Sequence, residues 1–254
     1  MYRITARGPS GRAVTGDPGK GATVSGVFEL NAEEEIVIVV GQKSNTRVDR
    51  YFGGSGGTFV AKYKNYVFTP LTVAGGGGSS SFPGGNEATY TDASETVDGK
   101  CANNKGPSFG CGGKNGQGGQ RGGGPSGPGT SGGGAGFHSG GVPSGDTRWG
   151  STYPATAFKS TGSLTEHKSS SLGGRFTDVK RVHVDGGYGG GGSGGRYACG
   201  GGGGYSGGGG GADNGHSGGG GSFLSDLVVD RYEKVVKADN SGLGEVVFEY
   251  IAGL

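Results

Sequence analysis

Three serines stand in Gly-x-Ser-x-Gly spacing, centred on Ser55, Ser193 and Ser206. In some hydrolases that spacing lifts a nucleophilic hydroxyl onto a strand-to-helix elbow, beside a histidine and an acid. Here it arises in a chain with 67 glycines among 254 residues, where such matches follow from composition, and the flanks read as strand or glycine tract. Gly16-Asp17-Pro18-Gly19-Lys20-Gly21 evokes a phosphate loop, but no Ser or Thr follows the lysine and the glycine spacing is wrong. A turn is the expected role.

His138, His167, His183 and His216 lie far apart, and none has a partner at metal-ligand spacing. Cys101 and Cys111 have nine residues between them, unlike the close pairs of zinc modules. With Cys199 they make an odd count. Cys101 and Cys111 are the candidate disulfide and Cys199 the candidate free or intermolecular thiol, with three unpaired thiols as the alternative. No paired carboxylates mark a general acid and base. The expectation is therefore a non-enzymatic chain with no metal site and no cofactor.

The elements that would position any site are mostly strands. Around Val24, Gly26, Phe28 and Leu30 the pattern has period two, and Ile36–Val40 is a short β-branched run suited to a buried strand. Thr58–Tyr63 and Val67–Val73 follow, with a turn at Lys64-Asn65-Tyr66. Pro70 places the second of these at an edge or a bulge. Strand patterning returns at Phe223–Val229, Arg231–Val236 and Glu245–Ile251, with a turn over Asp239–Gly242. No segment shows a capped helical period. Neither end holds enough strands for a comfortable sandwich, so residues 1–74 and 222–254 are expected to pair into one discontinuous sandwich. Residues 75–221 form a glycine-rich insertion that carries a polar loop at 142–185.

The glycines have a phase. Gly110, Gly113, Gly116, Gly119 and Gly122 recur every third residue, as do Gly186, Gly189, Gly192 and Gly195 and then Gly201, Gly204, Gly207 and Gly210. Three residues per turn is the period of a polyproline-II-type helix, which has no internal hydrogen bonds. Fixing each backbone residue costs roughly 1–2 kcal/mol, and glycine sits at the expensive end. Ordered tracts must therefore satisfy their N–H and C=O groups on close neighbours, as a bundle. A flexible Gly/Ser linker is the competing reading.

Several ordered stretches resemble the glycine-rich extracellular domain of the anaplastic lymphoma kinase and leukocyte tyrosine kinase receptors. They include Gly26–Leu30, Ile36–Gln42, Gly56–Val60 and Pro70–Gly78, then Gly186–Gly192, Cys199, Gly200–Gly208, Gly221–Leu224 and Gly242–Val246. The resemblance implies an all-β fold, a tumour-necrosis-factor-like (TNF-like) antiparallel β-sandwich with an inserted bundle of polyglycine-II helices. It also implies binding of a small basic protein ligand through acidic residues near the final hairpin, where Glu245 matches by its Gly-Glu-Val context. Asn240 and Ser241 do not supply a second acid there.

Charge and hydropathy narrow the partners. The net charge of +2 is spread along the chain, with no basic block for nucleic acid. No apolar run reaches the ~20 residues of a membrane span. The chain shows no secretory signal and no Asn-x-Ser/Thr sequon, and its expected location is extracellular, secreted or processed from a larger precursor. The expected function is a structural or self-assembling module of a fibre, matrix or biomineral scaffold, with itself or another extracellular protein as partner. The alternatives are a ligand-binding receptor ectodomain and, more thinly supported, a host-recognition adhesin.

Overall fold

The computed structural model describes residues 1–252 except 15, 45–46, 49–50, 82–86, 104–109, 124–129, 146–149, 159–171, 179–183, 196 and 213–214. In chain order its elements are β1 (Tyr2–Arg7), β2 (Gly21–Phe28), β3 (Glu35–Val39), β4 (Arg47–Val48), β5 (Tyr51–Phe52), β6 (Thr58–Lys64) and β7 (Val67–Ala74). A short helix α1 (Glu87–Thr91) follows, then β8 (Gly150–Tyr153), β9 (Arg175–Asp178), β10 (Phe223–Leu224), β11 (Val235–Asn240) and β12 (Glu245–Tyr250). The fold is all-β. Two four-stranded antiparallel sheets, β11-β2-β1-β12 and β10-β7-β6-β3, face each other as a sandwich, and β4-β5 and β8-β9 are small separate ladders. Both large sheets join N-terminal strands to strands from the last thirty or so residues.

Period-two patterning accounts for the sandwich interior. Ile4, Ala6, Ala22, Val24 and Phe28 from one sheet meet Val60, Leu71 and Ala74 from the other, with Ala93 and Val228 closing the cluster. Gly26 shares this inner face, where a Cβ would press on the side chains of Val228 and Leu224. Asn65 and Tyr66 form the β6–β7 turn with positive φ, and the ladder shifts register where Pro70 meets Ala61. The bulge absorbs the missing proline donor even though β7 is an inner strand.

Five local expectations are corrected. Only Phe223–Leu224 of the expected strand 223–229 pairs with β7, because the Ser225 hydroxyl accepts the Leu227 N–H at 3.2 Å and turns the chain. The strand expected at 231–236 begins at Val235 and runs to Asn240, paired antiparallel with β2 with a register shift between Lys237 and Asn240. Asn240 therefore ends a strand instead of sitting in the turn, and its side chain ties the turn by donating to the Leu243 carbonyl at 2.9 Å and accepting from the Gly242 N–H at 3.0 Å. The polar 142–185 loop contains the β8–β9 ladder, and α1 is a helix that no periodicity announced.

The outer face of the β10-β7-β6-β3 sheet is covered by the glycine-rich part of the chain. Val39, Phe59, Ala61, Phe68 and Val73 pack there with Phe137 and Phe158, flanked by Tyr188, Tyr205 and Phe223. Ring contacts run from Phe59 to Phe158 and Phe137 at 4.9 Å each, then to Tyr205 at 5.9 Å and Phe223 at 4.5 Å. This sheet thus lies between two cores.

Beyond the aromatics, the glycine tracts are joined by backbone hydrogen bonds with a period of three. The N–H groups of Gly200 and Gly203 donate to Phe52 and Ser55, those of Gly201 and Gly204 to Gly132 and Ala135, and those of Gly202 and Tyr205 to Gly218 and Gly221, all at 2.8–3.2 Å. Each of three neighbours thus receives every third donor. Only six described glycines have positive φ, so most are not required by backbone angle. They are required by space: a Cβ at Gly201, Gly202, Gly203 or Gly204 would overlap the carbonyl oxygen of Gly208, Gly76, Gly189 or Gly221. Gly53–Gly57, between β5 and β6, belongs to the same packing.

Candidate functional site

None of the three Gly-x-Ser-x-Gly serines reaches solvent. The Ser55 hydroxyl donates to the Ser10 carbonyl at 2.8 Å, and that of Ser206 accepts the Gly116 N–H at 2.9 Å. Ser193 is 1% exposed and its hydroxyl has no hydrogen-bond partner. His216 Nδ1 lies 2.7 Å from the Ser80 hydroxyl, which is wholly buried, so that pair ties one tract to another. His138 sits at the surface with its ring edge-on to Phe137 and Tyr205. His167 and His183 lie outside the described residues. Around the phosphate-loop-like segment, the Lys20 N–H donates to Asp92 and its carbonyl accepts from Ala93, so the segment is used as a connector. Among the described residues no three His, Cys, Asp or Glu side chains stand together as a metal set.

None of the three cysteines forms a disulfide in this structure. Gly99 donates to Gly113 and Ala102 to Gly110, so the two tracts run antiparallel with Cys101 level with Cys111. Both are half-buried. Cys199 is fully buried, and burial pushes its thiol up to about 12. Of the two roles expected for Cys199, its burial favours the free thiol over the intermolecular one, since bond formation needs an accessible thiolate.

Glu245 begins β12, the outermost strand of its sheet, and its carboxylate pairs with Arg7 across the ladder. Glu249 lies 3.7 Å from Arg3 in the same way. Arginine therefore already meets both acids on this strand. The missed signal was Arg3-Ile4-Thr5-Ala6-Arg7, an alternation whose period matches Glu245 and Glu249 only once the register is known.

The edge itself has a defined chemistry. Ile251 donates its N–H to the Met1 carbonyl at 3.0 Å, and Met1 continues the β1–β12 register. Backbone groups alternate in direction along an antiparallel strand. Those of Glu245, Val247 and Glu249 thus point toward β1, and those of Val246, Phe248 and Tyr250 point away from the sheet. Val247 is 40% exposed, Phe248 38%, Tyr250 67% and the preceding Leu243 71%. β3, the outermost strand of the other sheet, exposes Ile38, with Val40 just beyond it. Edge strands are usually blunted by charged side chains, above all lysine, by proline or by a bulge; β12 has no lysine, proline or bulge, and its two charges, Glu245 and Glu249, are engaged by Arg7 and Arg3. No described helix is long and apolar enough to cross a membrane. The chain matches no known family model and no curated protein.

Proposed function

We propose that this chain is a non-enzymatic, extracellular structural module that assembles with copies of itself, built as a TNF-like sandwich carrying a rigid bundle of polyglycine-II helices. The observation that carries this reading is the period-three donor pattern of Gly200–Tyr205 toward three neighbouring tracts. Three residues per turn with bonds only to neighbours is the arrangement of packed polyglycine-II chains. Within the bundle the hydroxyls of Ser55 and Ser206 and the ring of His216 are used internally. The bundle's evident product is stiffness, which suits a building block. The unblunted β12 edge gives that block a surface on which to add. The receptor-type reading would use Glu245 for a basic ligand, yet Arg7 already engages that carboxylate.

Size-exclusion chromatography with light scattering over a concentration series tests the assembly reading. The expected result is a mass that rises above one chain with concentration. A strictly monomeric protein at the highest soluble concentration overturns it.

A further inference from the structure

Building on that assembly reading, we infer that the occupant of the β12 edge is the β12 strand of a second copy, paired antiparallel about a two-fold axis at Phe248. The backbone groups free to pair are those of Val246, Phe248 and Tyr250, as the Ile251–Met1 bond fixes. A two-fold perpendicular to the sheet keeps each face on its own side, so the axis must fall on a residue.

Charge then selects which one. An axis at Val247 sets Glu245 directly opposite Glu249 of the copy, and an axis at Glu249 opposes that residue to itself. Like charges directly opposite are destabilising. An axis at Phe248 sets Val247 opposite Glu249 of the copy and brings no two acids face to face. On the other face it opposes Phe248 to itself and Val246 to Tyr250, an aromatic and an aromatic–β-branched pair of the kind that stabilises ladders. It also covers Phe248 and Tyr250, which the single chain leaves 38% and 67% exposed. An axis at Val246 is also free of acid pairs, but it spends one set of partners on Gly244, outside the strand. The Arg3–Glu249 and Arg7–Glu245 pairs lie across the β1–β12 ladder and are compatible with the added strand.

This register makes opposite predictions for two charges at one exposed position. Val247→Glu places a glutamate opposite Glu249 of the copy, twice by symmetry, and should weaken dimerisation by at least about tenfold. Val247→Lys places a lysine opposite that glutamate and should leave dimerisation as strong as in the unmutated chain or stronger at low salt. Tyr250→Ser, at the most exposed position of the strand, should also weaken it, so the test does not rest on one variant. The readout is the dimer dissociation constant from sedimentation or light scattering, with the thermal unfolding midpoint confirming that each variant is folded. If the unmutated chain dimerises but both Val247 variants are equally impaired or equally unaffected, this register is wrong while the assembly reading stands. If the unmutated chain stays monomeric, both fall.

Discussion

The sandwich interior and the central glycine tracts around Gly200–Gly204 are both buried, and opposite means hold them. Between the sheets, large apolar side chains such as Ile4, Phe28, Val60 and Leu71 meet one another, and backbone polar groups are satisfied within each ladder. In the glycine tracts there are almost no side chains to meet. Carbonyls and N–H groups of Gly200–Gly204 meet neighbouring backbones on every side instead. Burial of apolar area stabilises the first region at about 25 cal/mol per Å². The second relies on many backbone hydrogen bonds, each worth a net ~0.5–1.5 kcal/mol, and on contacts that only a missing Cβ permits. A core can therefore be built without hydrophobic residues when every backbone group finds a partner. Such a core should tolerate almost no added atoms.

Enlarging one central glycine is the sharpest way to break this contrast. Gly201→Val is expected to cost more than about 4 kcal/mol, because its Cβ overlaps the Gly208 carbonyl and no flexible side chain can yield. Urea denaturation should show failure to fold or a large drop in midpoint; a shift under about 1 kcal/mol would mean the packing is looser than described. The matching test in the sandwich removes atoms. Leu71→Ala should cost about 2–5 kcal/mol through lost transfer energy and a residual cavity, again read from the denaturation midpoint.

Smaller effects sharpen the comparison. Ser193→Ala removes a buried hydroxyl that has no partner, so it should be neutral or raise stability by up to about 1 kcal/mol. A clear loss would show that the hydroxyl is satisfied. The smallest effect concerns Glu34 at the mouth of the sandwich, whose carboxyl is held below its ordinary 4.5 chiefly by the 2.9 Å hydrogen bond from Lys62 and by the Asn31 N–H. A depressed carboxylate stabilises the fold above its unfolded pKa, and that stability is lost as pH falls through the folded value. Stability measured from pH 7 down through 4.5 should thus decline less steeply in Glu34→Gln, by no more than about 1 kcal/mol for a pair this near the surface.

Much of the sandwich was legible because period-two patterning reports burial directly. β2, β3, β6, β7 and β12 lie within two or three residues of where alternation places them, and Pro70 marked its bulge. Phe223–Val229 misled because its apolar residues serve a turn that plugs Val228 into the core. The helix α1 has only five residues, too few to show a period. Glu245 was legible as an acid near the final hairpin. Its partner Arg7 is 238 positions away, and no local pattern links them.

Composition alone determined that this chain could not bury a conventional core along its length, and the glycine phase determined a three-residue repeat. Those properties are intrinsic to residue type and spacing. Which tract lies beside which was decided only in three dimensions, because glycines are interchangeable in sequence and every tract offers the same N–H and C=O groups. The tracts that accept the hydrogen bonds of Gly200–Tyr205 are Phe52–Ser55, Gly132–Ala135 and Gly218–Gly221, and they are selected where the few large residues anchor them. Phe137, Phe158 and Tyr205 dock on the sheet, and their docking fixes the order of the featureless segments between.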